Sequence, residues 1–307
     1  MREVAVITTG FFDGVHLGHR HVLETVVSSA RERGEEAVVV TFWPHPRTVL
    51  QQDARDFRLL SSMEEKKALL LSCGIDRVEV LPFTRAFASM TASDYLALLR
   101  DRYGATLVVM GYDNRIGSDC LTAADLSGVG TEVPVLVSKP LANPTRDSAA
   151  HSCCHSERSE ESPVISSTQI RKALGEGRVE DANAMLGYAY PLHGVVVSGN
   201  QMGRTIGFPT ANMQLYEPLK LVPMNGVYAV EVEVLGQHYR GMCNIGVRPT
   251  VDGKARTIET HILDFDQDIY GLPLTLRFLR RIRDERRFPS LDALRTQLLL
   301  DRDACSR

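Results

Sequence analysis

At 307 residues the chain is longer than one hydrophobic core usually organises, which predicts two domains. Apolar residues make up 44% of it and the formal net charge is −3, so no global electrostatic pull toward nucleic acid or anionic lipid exists and partners must be argued locally. No apolar run approaches the roughly 20 residues of a membrane span, and the opening MREVAVITTG is too short and too quickly polar for a signal peptide. Six irregularly spaced cysteines form no disulfide framework, so the expectation is a cytoplasmic protein with free thiols.

From Glu3 to Ser138, short β-rich runs (EVAVITTG, EAVVVTF, RVEVL, TLVVMG) alternate with helix-length amphipathic stretches, which predicts a parallel, Rossmann-like α/β sheet. Ser62 followed by Glu65 reads as a capping box, and Gly34, Gly74 and Gly104 stand where left-handed C-terminal caps belong. The segment NPTRDSAAHSCCHSERSEESP has no apolar period and reads as a mobile insert over about residues 146–162; its HSCCH fits no common zinc spacing. After Tyr190 the period changes to two. Tyr228, Val230, Val232 and Val234 share one strand face, Glu231 and Glu233 take the other, and Gly236-Gln237 suits a hairpin turn. Further strand-like runs (LHGVVVSG, TIETHIL, LTLRFL) and a closing helix near SLDALRTQLLL predict a small antiparallel barrel or sandwich.

In GFFDGVHLGH a strand ends at Gly10 and Gly14 and a helix follows from about Gly18, which aims free helix N–H groups at whatever lies above the strand ends. His16 and His19 stand at the mouth of that phosphate cradle, placed to donate to a phosphate gathering charge. The blander alternative is that one histidine caps the helix and the other is solvated. The H-x-G-H spacing matches the signature of the nucleotidylyltransferase superfamily, and the longer stretch resembles the adenylyltransferase half of the bifunctional riboflavin kinase/FAD synthetase family. TFWPHP with His45, GYDNRIG with Asp113, and SSTQIR with Ser166, Ser167, Thr168 and Arg171 carry the resemblance further, in the right order. It implies a nucleotidylyltransferase-like domain over residues 1–185. There His16 and His19 would act on the α-phosphate of ATP, while Gly10, Phe12, Asp13, Gly14, His45, Asp113, Ser166, Ser167, Thr168 and Arg171 would bind nucleotide. Asn114 and Ile116 replace aromatics of the family's third motif, which predicts stacking on the flavin weaker by ~1 kcal/mol per lost contact.

GNQMGRTIGFPTANM gathers Gly199, Gly203 and Gly207 into a turn-rich loop that backbone and polyphosphate can share closely. Its GFPTAN resembles the flavokinase signature, as do NIGVRPTVDG with Asn244 and IETHIL with Glu259. The resemblance implies a riboflavin kinase domain over residues 186–307, an antiparallel Greek-key barrel. Thr210 and Asn212 would ligate Mg²⁺, Gly203, Gly207 and Asn244 would serve the nucleotide, and Glu259 would be the general base. Strand periodicity puts Glu259 and His261 on one face and Thr260 on the other. LRRIRDERRF, interrupted by Asp284 and Glu285, reads as a solvated helix or loop face with one arginine for phosphate rather than as a nucleic-acid patch.

Together these resemblances imply a bifunctional enzyme that phosphorylates riboflavin to FMN and adenylylates FMN to FAD, with ATP as co-substrate and Mg²⁺ as cofactor. Two narrower readings stay open: a riboflavin kinase whose first domain is impaired or uses another phosphate acceptor, and a flavin-binding protein without catalysis. The expected partners are riboflavin, FMN and ATP, with no nucleic acid and no membrane, and self-association is left open.

Overall fold

Alternation of apolar side chains between two faces builds the first sheet. The computed structural model describes residues 4–50, 57–128, 133–139, 141, 164–199, 202–250 and 253–305. Its contacts separate Met1–Ser167 from Thr168–Arg307. In the first unit β1 (Ala5–Thr9), α1 (Leu17–Arg33), β2 (Glu36–Trp43), α2 (Pro46–Leu50), α3 (Met63–Ser72) and β3 (Arg77–Pro82) are followed by α4 (Arg85–Ala88), α5 (Ala92–Tyr103), β4 (Ala105–Gly111), α6 (Ala123–Gly128) and β5 (Val135–Ser138). All five strands are parallel, in the order β3-β2-β1-β4-β5. Ala5, Ile7, Val38 and Val40 pack with Tyr95 and Leu99 of α5 on one side. Val6, Ala37 and Val39 pack with Leu23 and Val26 of α1 and Leu70 of α3 on the other, which is why these strands read as nearly continuous apolar runs. The order reverses between β1 and β4, and ligands of such sheets bind outside the carboxyl ends at that point.

The helix ends follow their sequence signals. Gly34 (φ 67°) and Gly104 (φ 69°) are left-handed caps, and Gly74 (φ 89°) follows the cap residue Cys73. Both halves of the Ser62–Glu65 capping box form.

The second unit begins with α7 (Ser167–Gly175, its first residue closing the first unit) and α8 (Val179–Leu186). It continues with β6 (Tyr190–Val197), α9 (Met202–Thr205), β7 (Ala211–Leu215), β8 (Gly226–Val234), β9 (Gln237–Thr250), β10 (Gly253–Ile262), β11 (Pro273–Arg283) and α10 (Leu291–Cys305). The six strands close an antiparallel barrel in the order β10-β7-β6-β11-β8-β9, which leaves no free sheet edge. The expected first domain ran to residue 185, yet α7 and α8 pack with the barrel: Met224 N–H donates to Leu174 O, and Asn183 Nδ2 donates to Phe278 O at 2.8 Å. The barrel's buried row is Tyr228, Val230, Val232 and Val234, while Glu231 and Glu233 pair outside with Arg277.

Two expectations change here. Val234 pairs with Gln237, so the hairpin turn is Leu235-Gly236 with φ of 54° and 71°, one residue earlier than Gly236-Gln237. A two-residue turn of this hand needs positive φ at both centres, and burial of the flanking valines fixes the register even with leucine at the first. Residues 279–283 of the arginine-rich run end strand β11 rather than forming a solvated helix or loop face, whereas residues 284–288 are a loop with Asp284, Glu285, Arg286 and Arg287 exposed, as expected. Arg281 donates to Asn225 O at 2.7 Å, and Arg283 forks onto Asp301 of α10 at 2.9 and 2.7 Å, where Asp301 is 1% exposed. Antiparallel pairing with β8 and these internal acceptors hold a segment whose charge alone suggested solvent.

The insert over about residues 146–162, with Cys153 and Cys154, lies outside the described residues; Cys73, Cys120, Cys243 and Cys305 are free thiols. Among the described residues no helix is long and apolar enough to cross a membrane.

Candidate active sites

At the switch point of the first unit, the carboxyl ends of β1 and β4 and the start of α1 enclose a cavity of about 230 Å³. His16 is the N-cap of α1: its Nδ1 accepts the His19 N–H at 3.3 Å, which leaves Nε2 as the protonated nitrogen. The bland reading of a capping histidine is thus correct for His16, and the cap is what orients the ring. The two imidazoles stack with centroids 3.6 Å apart. His19 Nδ1 is enclosed with no hydrogen-bond partner among the described residues, and burial, then His16 and Lys66, hold its pKa well below the usual imidazole value. His19 is therefore neutral. Gly18, the glycine of the H-x-G-H spacing, keeps room for the His16 ring: a Cβ there would stand 3.2 Å from it, close enough to press the imidazole aside by a few tenths of an ångström.

Gly10, Phe12, His16, His19, Asp113, Ser166 and Ser167 all line this one cavity, as the motifs implied. Lys139, just after β5, joins them and carried no motif that could have announced it. Asp13 and Gly14 do not line it. The Asp13 carboxylate accepts from the N–H groups of Leu60 and Ser61 at 3.0 and 3.1 Å and from Ser61 Oγ, while Gly14 N–H donates to Ser61 Oγ. They pin the chain ahead of α3, and only Asp13 O reaches the site, accepting from Ser167 Oγ at 3.1 Å. His45 packs its ring on Phe11 at 4.0 Å and accepts the Arg47 N–H rather than lining the cavity. Thr168 and Arg171 continue α7 in the second unit.

Beside it lies an aromatic cavity of about 500 Å³ that shares Gly10, Phe11 and Asn114 with the first. Phe42, Phe83 and Phe87, from the ends of β2 and β3 and from α4, contact one another with centroids 5.4–5.8 Å apart and line this cavity together with Asn114 and Ile116. Beneath Phe11 the fully buried Lys66 holds its Nζ 3.3 Å from the ring centroid. Desolvation, opposed by Asp13, brings that ammonium's pKa down to about 7.

In the barrel, Asn212 on β7 stands directly opposite Glu259 on β10, and Glu259 directly opposite Asn244 on β9. Directly opposed residues of antiparallel strands project to the same side, so an amide flanks the carboxylate on either hand. A cavity of about 340 Å³ holds Glu259, His261, Asn244, Thr210 and Gly203 against Phe208, Met242, Leu294 and Leu298. A second, of about 410 Å³, holds Arg204, Thr260 and Tyr270 and shares Thr210. Glu259 and Thr260 thus serve different sides, as the strand period required. Glycine shapes the GFPTAN loop: a Cβ on Gly203 would collide with Phe208 O, and Gly207 has φ 82°. Asn212 lines neither cavity; its amide lies over Gly199, where a Cβ would stand. Glu285, unremarked beyond breaking an arginine run, reaches the Glu259 cavity with its carboxylate over Gly246.

Comparison with known proteins matches two family models in order, FAD synthetase over residues 1–133 and riboflavin kinase over residues 186–307. The bifunctional riboflavin kinase/FMN adenylyltransferase of Bacillus subtilis is 36% identical over 307 residues, covering 99% of this chain and 92% of that protein. That of Escherichia coli K12 is also 36% identical, over 98% and 91%. A crystal structure named as a macrolide-efflux protein from Streptococcus pneumoniae matches at 34% identity and a TM-score of 0.90, covering 100% of this chain and 95% of that one. Its likeness runs through both units, and with the two models and the full-length relatives it leads to one conclusion: this chain belongs to the bifunctional riboflavin kinase/FMN adenylyltransferase family.

Proposed function

We propose that the chain makes both flavin nucleotides, FMN from riboflavin in residues 186–307 and FAD from FMN in residues 1–185, with ATP as co-substrate for each. The observation that carries this reading is that each unit holds two adjoining cavities, meeting in the barrel at the hydroxyl-bearing Thr210 and in the sheet at Gly10, Phe11 and Asn114, of which Gly10 leaves room for phosphate and Asn114 offers an amide donor.

In the barrel, riboflavin takes the cavity with Glu259, whose apolar residues suit a flat ring, and ATP takes the cavity with Arg204 and Tyr270. The riboflavin 5′-hydroxyl forms the new O–P bond, the γ-phosphorus releases the bridging oxygen of ADP, and Glu259 accepts the hydroxyl proton. Asn212 and Asn244 hold the strands beside that carboxylate. The donors Thr210 and Asn212 offer neutral oxygens, hard ligands that fit Mg²⁺ already carrying phosphate oxygens, and when bound the ion would neutralise charge on the transferred group. Gly203 and Gly207 let the loop close over phosphate.

In the sheet unit, a phosphate oxygen of FMN attacks the α-phosphorus of ATP and pyrophosphate departs. His16, with its Nε2–H fixed by the cap, and neutral His19 donate to the α-phosphate oxygens as charge gathers. Ser166, Ser167 and Asp113 position the nucleotide from their places on the cavity, while Phe12 and His45 buttress the site. Asp13 and Gly14 act indirectly, by pinning the loop ahead of α3. We also assign the chain to the cytoplasm, since free thiols suit a reducing compartment.

A chromatographic assay of riboflavin, ATP and Mg²⁺, resolving riboflavin, FMN and FAD, tests both halves. Glu259→Gln should lose at least about 100-fold in FMN formation yet still convert added FMN to FAD; His19→Ala should do the reverse. FMN accumulating without FAD in the unaltered chain would restrict the reading to a kinase, and no FMN would end it.

A further inference from the structure

The loop that joins α9 to β7 carries Thr210, the residue common to both cavities of the barrel. Residues 206–210 lie outside helix and strand, so no regular backbone ladder of their own holds them. Pairing with β10 ends just short of them: the ladder covers Asn212 with Glu259 and Ala211 with Thr260, and Pro209 has no N–H with which to prolong it. A side chain takes over there. His261, the next residue of β10 on the face of Glu259, has its Nδ1 2.8 Å from Pro209 O. A carbonyl oxygen can only accept, so Nδ1 carries the proton and donates. The imidazole also meets Phe208 edge to face at 5.1 Å, and Phe208 is 5% exposed, packed with Met242, Leu263 and Leu298. The Phe208 N–H closes the start of the loop by donating to Gly203 O at 2.8 Å.

Glu259 and His261 share one strand, so a bond from His261 to the residue before Thr210 ties the carboxylate and the loop to the same rigid element. Without that bond the stretch between Gly203 and Ala211 is free to shift, and in an in-line displacement a misplacement on the order of 1 Å costs about 100-fold. We propose that His261 is a positioning residue for phosphoryl transfer, holding Thr210 at the junction of the two cavities and in register with Glu259 through its hydrogen bond to Pro209 O. The imidazole acts as a fixed donor and transfers no proton. This rests on the riboflavin kinase reading above and adds to it the means by which β10 supplies both the base and the anchor of the loop that meets phosphate.

The test compares two substitutions of nearly equal shape in the full chain. Asparagine places an amide N–H where Nδ1 stood, leucine has the same branching without a donor, and both remove the ring. In FMN formation at saturating ATP, kcat should stay within about threefold of the parent in His261→Asn and fall about tenfold or more in His261→Leu, with the KM for riboflavin alike in the two. In a Thr210→Ala background His261→Leu should cost no more than about twofold further, because the residue it holds in place has lost its hydroxyl. Riboflavin binding, read without ATP from quenching of its fluorescence, and conversion of added FMN to FAD should not distinguish the two variants. If His261→Leu does not fold, His261→Gln, whose amide stands one methylene too far out, makes the same comparison with His261→Asn. Equal kcat in the donor and donor-free variants, a difference that lies in riboflavin affinity, or a full tenfold loss on top of Thr210→Ala overturns the positioning role and leaves the kinase reading standing. An unaltered chain that forms no FMN overturns both.

Discussion

Replacing Lys66 by methionine should stabilise the first unit, and by far more near pH 6 than near pH 10. Methionine keeps the length and the apolar stem but removes an ammonium that is fully buried. Lowering its pKa from 10.5 to about 7 corresponds to about 5 kcal/mol of disfavoured charging, at 1.36 kcal/mol per pH unit. That figure is the net penalty on the charged form, so the gain from the substitution is about 5 kcal/mol wherever the lysine is charged in both states, the contact with the Phe11 ring notwithstanding. The unfolded chain holds its proton up to about pH 10.5 and the folded chain releases it near pH 7, so between these values the unfolded state binds more protons and the native chain gains stability with rising pH. The penalty is therefore complete below about pH 7 and relieved toward pH 10.5, and the variant's advantage should fade over that window to about 1 kcal/mol or less. Trp43, the chain's single tryptophan, ends β2 and reports this unit alone, so urea unfolding followed by its fluorescence at several pH values reads the difference directly. A pH-independent difference, or a variant less stable than the parent near pH 6, would refute the reasoning and mean that Asp13 fully compensates the buried charge.

Three further outcomes are expected. Leu235→Asn should raise barrel stability by about 0.5–1 kcal/mol in calorimetry, because Leu235 is 51% exposed and held at φ 54° in a turn that favours asparagine; an unchanged transition would count against that turn. Asp301→Asn breaks the fork with Arg283 and should cost about 3 kcal/mol, with a raised KM for riboflavin because Leu294 and Leu298 of the same helix line the Glu259 cavity. Gly18→Ala should slow FAD formation about tenfold or more by displacing the His16 ring, while FMN formation from riboflavin stays intact.

The fold was legible wherever period and punctuation agreed. Strands β1 to β4, the capping box at Ser62 and the caps at Gly34 and Gly104 follow from local chemistry, because a buried parallel strand and a helix end each leave a distinct residue pattern. The cavity around His16 and His19 was legible for the same reason, its residues being adjacent in the chain or opening a helix. The aromatic cavity was not. Phe42, Phe83 and Phe87 end or follow elements far apart in sequence, and only the sheet order brings them together beside Asn114 and Ile116, so a reading confined to local motifs had no means of seeing them. Asp13 illustrates the converse, since a carboxylate inside a nucleotide motif serves backbone N–H groups of the next loop. In LRRIRDERRF charge pattern argued for solvent, which holds for residues 284–287, whereas acceptors distant in sequence, Asn225 O and Asp301, draw Arg281 and Arg283 into the strand.

The two cavities of the sheet unit touch through Gly10, Phe11 and Asn114 and both draw on the ends of β1 and β4, but the histidine side adds the start of α1 and residues 164–167, whereas the aromatic side adds the ends of β2 and β3, α4, Tyr95 of α5 and residues 115–118. With the acceptor on the aromatic side and the donor on the histidine side, as the proposed function would have them, substitutions in the second group would alter which acceptor is admitted while the donor chemistry is left undisturbed. This half of the molecule is thus modular below the level of the domain, and a library confined to the aromatic side is the rational place to seek adenylylation of non-natural flavin phosphates.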